Sequence, residues 1–259
     1  MLLVLIVVAA VQAVYALPPI AQDPGYHAFA DQRELFGIPN FLNVASNVGF
    51  VLVGALGARF MVQRGRPRPD GPVTVSWERL AWLVLFAGVG LAGLGSARYH
   101  LAPSDASLVW DRLPITLVFT TLLAINAAER IGLRAGRWLL PPLLVLGAGS
   151  VAAWHLGGGT GIGDLRAYGL VQFLPPLLVP VMLLLFRPRY TRGGAFAGAL
   201  GWYALAKALE ALDAEVFALG ALVSGHTLKH LAAALAMYWI LRMLRRRQPV
   251  PHSGAGVAP

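Results

Sequence analysis

Apolar residues fill long, nearly uninterrupted stretches of the chain, and polar residues gather in the short segments between them. A helix needs about 20 apolar residues to cross a bilayer. The pattern therefore predicts an all-α integral membrane protein built as a bundle of seven transmembrane helices. The predicted spans lie near residues 41–60, 78–98, 108–127, 138–155, 166–186, 195–211 and 216–241.

An additional apolar stretch at residues 1–17 precedes these spans. It has no basic segment before its apolar part, so an extra helix is favoured over a cleaved signal peptide. The small residues around Val14–Ala16 leave cleavage as the alternative. Residues 18–40 are predicted to form a linker on the outside, residues 41–243 the seven-helix domain, and residues 244–259 a disordered cytoplasmic tail rich in Pro, Gly and Ala.

The composition agrees with a membrane protein. Of the 259 residues, 57% are hydrophobic and 13% are charged, whereas soluble domains carry roughly 25% charged residues. There is no cysteine, which excludes disulfides, thiolate catalysis and cysteine-based zinc sites.

The net charge of +9 reflects membrane topology and does not indicate a nucleic-acid partner. Arginines cluster at residues 59–68, 130–137, 187–192 and 242–247, each after an odd-numbered span. Basic residues mark cytoplasmic loops. The pattern predicts a cytoplasmic C-terminus and an opposite face toward the periplasm of a bacterial inner membrane.

Ionisable residues inside predicted spans are costly, at about 2.5–3.5 kcal/mol each, and so indicate function. His226 and His230 are four residues apart, which places both imidazoles on one helix face. Ser96 and His100 repeat this spacing on another helix, and Asp111 returns to the same membrane side. Three histidines and a nearby carboxylate predict a catalytic metal site with one open position.

Simpler interpretations of single residues stay open. A lone intramembrane histidine is more often an interhelical hydrogen-bond donor, and Ser96 alone is usually a small packing residue. Lys229 is expected to form a salt bridge, and Lys207 with Glu210 to form a structural pair. The histidines of the predicted connections are expected to be solvated: His27, His155 and His252.

One feature of the predicted spans opposes the metal site. A helix over 216–241 puts His226 about 15 Å from Glu215, whereas His100 lies close to the end of its own helix. The groups meet only if this helix extends beyond the bilayer or if the site lies a turn or two deep. A water-filled cavity in the outer half of the bundle is therefore expected.

Together, the Ser96/His100 pair, Asp111 and the His226/His230 pair resemble the alkaline ceramidase family. That family belongs to a superfamily of seven-helix membrane metal hydrolases that includes the progestin and adiponectin receptor proteins. The opening of the first span is also similar, in Asn43, Ser46 and Asn47. The resemblance covers residues 26–243.

The resemblance implies zinc held by His100, His226 and His230, with Asp111 positioning the attacking water and Ser96 stabilising the oxyanion. The implied reaction is hydrolysis of the ceramide amide to a fatty acid and a sphingoid base, so the expected partners are a membrane lipid substrate and the bilayer.

The resemblance also suggests a calcium site before the first span. Its available ligands are Asp31, Glu34 and Asn40. These three residues are a thin supply for an ion that takes six to eight oxygens, so an ordinary acidic linker with an asparagine helix cap is the alternative.

Three other functions stay open at this stage. The hydrolase could act on another lipid amide or on an ester. A retinal protein could use Lys229 for a Schiff base and Asp111 as its counter-ion. A receptor or haem carrier could use the paired histidines without hydrolysis.

Overall fold

The computed structural model describes residues 1–63, 67–158 and 163–251. The chain is α-helical over these residues. Its helices are α1 (Leu2–Tyr15), α2 (Phe41–Ala45), α3 (Val48–Gln63), α4 (Ser76–Leu101), α5 (Asp105–Arg130), α6 (Leu133–Gly158), α7 (Arg166–Leu185), α8 (Ala195–Ala211), α9 (Asp213–Ala218) and α10 (Gly225–Arg246), with a short 3-10 helix at Pro24–His27.

Among the described residues, five helical segments are long and apolar enough to cross a membrane, which indicates a multi-pass membrane protein and matches the first five predicted spans. They are Phe41–Gln63, Ser76–Leu101, Asp105–Arg130, Leu133–Gly157 and Arg166–Leu185. The extra N-terminal helix α1 has 14 residues and packs against α7.

The last two predicted spans also form helices, but these helices lack the length or the apolarity of the other five. The seven-span bundle is therefore not confirmed. Helix α8 has 17 residues, fewer than the roughly 20 that a span needs. Helix α10 has 22 residues, but Lys229 and three arginines near its end interrupt its apolar surface.

The predicted span at 216–241 is wrong in its start, because α10 begins at Gly225 after the separate short helix α9. Ser224 caps α10, and its side chain accepts a hydrogen bond from the Thr227 amide at 3.2 Å, as N-cap residues do. Gly225 lies against the backbone of residues 209–213, where a side chain would overlap the Leu209 carbonyl. His226 and His230 therefore occupy the first two turns of α10.

The helices pack around α4 and α5. Helix α4 lies between α3 and α5, α5 also contacts α6 and α7, and α10 packs on α8 and α3. Fully buried side chains fill the interior, among them Trp82, Phe86 and Ile240. Small residues allow close approach where α3 meets α4, as is common between membrane helices. A side chain at Gly54 would meet the Gly90 backbone at 2.5 Å.

One end of the bundle is closed by a charged network around Arg247. This side chain pairs with Glu129, stacks 3.9 Å from the centroid of the Tyr190 ring and donates to the Pro72 carbonyl at 2.7 Å. Residues 244–251 of the predicted disordered tail therefore have a defined structure. Residues 244–246 complete α10, and the next few pair with Tyr190 and its neighbours. Residues 252–259 lie outside the described part.

Replacing Gly95 with alanine should destabilise the bundle by about 1–3 kcal/mol, the usual cost of overpacking. A Cβ atom at this position would overlap the Trp110 carbonyl of α5. Thermal unfolding of the detergent-solubilised variant measures the effect. The control is Gly149→Ala, because Gly149 has open space around it. Equal melting temperatures for the two variants would contradict this close approach of α4 and α5.

Candidate metal centre

The structure brings His100, His226 and His230 together at one end of the bundle. All three side chains are buried, and one nitrogen from each lies within 4.8 Å of the other two. The ring centroids are 4.9–5.0 Å apart, in edge-to-face arrangements. His100 comes from the last turn of α4 and the other two from the first turns of α10. The start of α10 at Gly225 thus removes the 15 Å separation expected from the sequence.

Hydrogen bonding prepares the triad to hold a metal ion. The Ser46 hydroxyl donates to the Asn43 carbonyl at 3.2 Å and lies 2.8 Å from Nδ1 of His230. It therefore accepts from Nδ1–H, which leaves Nε2 of His230 unprotonated. Nδ1 of His100 is buried without a hydrogen-bond partner, and a bound ion would satisfy such an atom.

Three neutral imidazoles suit zinc, and they also suit other transition metals. The triad could therefore hold a metal ion, consistent with zinc. Asn43 and Asn47, the other two residues named at the opening of the first span, form hydrogen bonds next to the triad. Asn43 accepts a hydrogen bond from the Thr227 hydroxyl at 2.7 Å, and Asn47 donates to the Asn43 carbonyl at 2.7 Å.

Lys229 lies beside the triad. Its ammonium is 3.0 Å from Glu210 and 2.9 Å from Nε2 of His226. That nitrogen has one lone pair, so it cannot accept from Lys229 and bind a metal at the same time. Metal binding through Nε2 would turn Lys229 fully toward Glu210. The predicted salt bridge of Lys229 and the predicted pair of Lys207 with Glu210 are both confirmed.

Ser96 and Asp111 lie next to the triad, at one end of a large cavity. The Ser96 hydroxyl is within hydrogen-bonding reach of the Asp111 carboxylate. Both line a cavity of about 430 Å³ together with His230. Farther from the triad, the walls are mainly apolar and aromatic and reach Ile240, ten residues along α10. At 1.5 Å per residue, that is about 15 Å, so the cavity is polar at the triad and apolar beyond it.

The linker covers the triad. The Phe29 ring lies with its centroid 4.6 Å from His100 and 4.7 Å from His226. The expectation that His27 is solvated is wrong. Its Nδ1 is 2.8 Å from the Tyr99 hydroxyl and its Nε2 is 3.2 Å from Asp105, because the linker folds back over the ends of α4 and α5. His155 is exposed near the end of α6, and His252 lies outside the described residues.

Asp213 ties the linker to α10. Its carboxylate accepts from the Ala30 amide at 2.9 Å and from the His226 amide at 2.7 Å. Arg33 adds a second connection, since it donates to the Ala221 and Leu222 carbonyls at 2.8 Å. These bonds fix Phe29 over the imidazoles.

The three calcium candidates do not converge on one point through their side chains. Both Asp31 carboxylate oxygens accept from Arg33 at 2.8 Å, and this guanidinium holds the pKa of Asp31 below its usual range. Glu34 is exposed, and the Asn40 amide donates to the His100 carbonyl at 2.9 Å. An arginine thus occupies the place at Asp31 where a calcium ion would bind, and the calcium site stays a prediction.

Sequence reasoning missed four residues around the triad: Tyr26, Phe29, Arg112 and Asp213. Tyr26 and Arg112 line the cavity. The charge of Arg112, next to Asp111 in a predicted span, was a signal available in the sequence. The other three lie in the linker and in the helix before α10, where only the folded chain shows what they contact.

Replacing Ser46 with alanine should weaken metal binding about 10- to 100-fold, the usual cost of losing a group that orients a ligating histidine. The variant removes the acceptor for Nδ1–H of His230. Competition with a fluorescent chelator measures the affinity. Ser150→Ala is the control, since this buried serine bonds only its own helix, at the Gly147 carbonyl. Unchanged affinity in Ser46→Ala would exclude this role.

The triad, Ser46, Ser96 and Asp111 come from four separate helices: α2 through its end at Ser46, α4, α5 and α10. The chain matches no protein-family model, and it matches no curated protein sequence.

Proposed function

We propose that this protein is a zinc-dependent intramembrane amidohydrolase that cleaves the amide of an N-acyl lipid to a fatty acid and an amine. Ceramide is the substrate that the resemblance suggests. One observation carries the proposal: His230 of the buried histidine triad, Ser96 and Asp111 line one cavity whose walls are mainly apolar.

The shape of the cavity supports an amphiphilic substrate. Lipid-binding cavities are mostly apolar, with a few polar groups that fix orientation. The polar end holds Ser96, Asp111 and His230, and the apolar walls continue for about 15 Å along α10. An acyl chain would lie along these walls, with its carbonyl group beside Asp111.

A zinc ion held by the three imidazoles would polarise the amide carbonyl and lower the pKa of a bound water to about 7. Asp111 accepts a proton from the attacking water as the water oxygen bonds to the carbonyl carbon. Asp111 then delivers that proton to the amide nitrogen as the C–N bond breaks. Ser96 orients the carboxylate through its hydroxyl. Phe29 covers the imidazoles and limits access of bulk water.

The test is hydrolysis by protein purified in a neutral detergent. Ceramide, N-acyl amino acids, N-acylethanolamines and matched esters are supplied with one acyl chain length, and mass spectrometry quantifies the fatty acid and the amine. We expect release of both products from an amide, loss of activity after chelation, and recovery on adding zinc. Cleavage of esters alone would change the reaction class. No cleavage of any substrate by zinc-loaded protein would overturn the proposal and leave a receptor-type function.

We also propose that the triad faces the periplasm of a bacterial inner membrane. Arg130, Arg189 and Arg247 gather in and near the charged network around Arg247, at the other end of the helices from the triad, and basic residues favour the cytoplasm. Because the chain has no cysteine, single cysteines report sidedness cleanly. In intact cells, an impermeant maleimide should label Glu34→Cys and leave Arg134→Cys unlabelled. The reverse pattern would invert the topology.

A further inference from the structure

Arg112 is a buried cation without an ion-paired partner among the described residues. Its side chain is 5% exposed. Aromatic rings surround the guanidinium carbon, with centroids 4.2 Å away for Trp154, 4.8 Å for Tyr168 and 5.6 Å for Tyr26. Nη2 donates to the Gln22 side chain at 2.6 Å, and Nη1 is buried with no hydrogen-bond partner.

In the described part of the chain, the two other cations that line the cavity and the buried arginine at the opposite end of the bundle have acidic partners. Lys207 and Lys229 share Glu210, and Arg247 pairs with Glu129. A buried charge without a partner is costly. Ring faces attract a guanidinium by about 2 kcal/mol at best when it is desolvated, which offsets only part of that cost. An anion from outside the chain would complete the site at Arg112.

The position of Arg112 shows where such an anion would lie. Arg112 follows Asp111 directly on α5, and both residues line the cavity that also contains Ser96 and His230. Tyr26, whose ring centroid lies 5.6 Å from the Arg112 guanidinium carbon, lines the same cavity. The anion site and the proposed reacting group are therefore neighbours in one cavity.

We propose that Arg112 binds a carboxylate in the headgroup of the substrate, so that the enzyme acts on N-acyl amino acids. This inference rests on the proposed hydrolase function and names its substrate class. In an N-acyl amino acid, one carbon separates the carboxylate from the scissile amide nitrogen. Asp111 and Arg112 are consecutive, with Cα atoms about 3.8 Å apart, so Asp111 can act on the amide while Arg112 binds the carboxylate. A single guanidinium also matches a monoanion, whereas a phosphate dianion calls for further donors.

The experiment measures binding apart from turnover. Wild-type protein in a neutral maltoside detergent, treated with a chelator to prevent hydrolysis, is titrated with N-lauroylglycine and with N-lauroylethanolamine. These probes share the acyl chain and the amide and differ in the carboxylate. We expect N-lauroylglycine to bind at least about 10-fold more tightly. Arg112→Gln should abolish this preference by lowering the affinity for N-lauroylglycine to that for the neutral probe.

Two controls keep the inference falsifiable. Arg98→Gln removes an exposed arginine that lies over the Trp110 ring, and the preference should persist in it. Equal binding of both probes by the wild type overturns the inference. This result does not depend on any variant, so it holds even if Arg112→Gln misfolds. Tighter binding of N-lauroyl phosphoethanolamine than of N-lauroylglycine would overturn the choice of a carboxylate.

The inference and the proposed function can fail separately. If the wild type prefers N-lauroylglycine but zinc-loaded protein cleaves no amide, the hydrolase proposal fails and Arg112 remains an anion site. If zinc-loaded wild type and Arg112→Gln cleave N-lauroylethanolamine equally well and neither prefers N-lauroylglycine, the hydrolase stands and the assignment of Arg112 fails.

Discussion

Replacing His230 with alanine is expected to remove the metal from the purified protein and to abolish hydrolysis. The variant deletes one of three imidazoles, and losing only a group that orients such a ligand already costs about 10- to 100-fold in metal affinity. A larger loss is expected for the ligand itself. Metal content by mass spectrometry should fall from about one zinc per chain to none, and turnover should fall below detection.

The control for this variant is His155→Ala, because His155 is exposed on α6, away from the triad. It should retain zinc and full activity. His230→Gln fills most of the same volume and distinguishes loss of a ligand from collapse of a buried site. If His230→Ala keeps one zinc per chain, the three histidines are hydrogen-bonding residues of the bundle. The hydrolase proposal then loses its basis.

The pairs of site residues that lie on one helix could be predicted from the sequence. Paired positions four apart on a helix share a face whatever the tertiary structure, so His226 with His230 and Ser96 with His100 could be assigned before the fold was known. The first five spans were equally accessible, because apolar length is a local property. The pair of Lys207 with Glu210 followed from helical spacing, and a salt bridge of Lys229 followed from the cost of an unpaired charge, although the sequence did not name its partner.

The parts that sequence reasoning missed depend on contacts between distant segments. The start of α10 is set by Gly225 against the Leu209 carbonyl and by Asp213, which binds the His226 amide. The hydrophobic periodicity of the sequence predicts neither contact. The linker lacks a regular pattern altogether, so the cover that Phe29 forms over the triad was not foreseen. The spans predicted at α8 and α10 are not confirmed, since forming a helix and having the length and apolarity of a span are separate requirements.

The position of the polar groups has an energetic consequence. The triad, Asp111 and Lys229 lie near helix ends rather than in mid-bundle, where a charged residue costs about 2.5–3.5 kcal/mol. Phe29 of the linker then covers two of the three imidazoles. Such a site has a low local dielectric, in which a carboxylate and an ion act on a substrate more strongly than in water.

Asp111→Asn is expected to retain zinc and lose about 10²- to 10⁴-fold in turnover, the range that a positioned general base supplies. Asparagine keeps the size of the side chain and can still bond Ser96, but it cannot accept the proton of the attacking water. The measurement pairs zinc content with single-turnover cleavage of the best amide substrate. Asp105→Asn is the matched control, because Asp105 lies on the same helix, is exposed and contacts His27.

The two readouts separate the possible roles of Asp111. Retained zinc with a large loss of turnover assigns proton transfer to Asp111. Loss of both would make it a residue that holds the metal site together. Unchanged turnover would remove Asp111 from the mechanism and leave Glu210 as the other carboxylate that lines the cavity among the described residues. Because Glu210 is already shared by two lysines, it is the weaker base, and Asp111 is the residue on which the proposed hydrolysis depends.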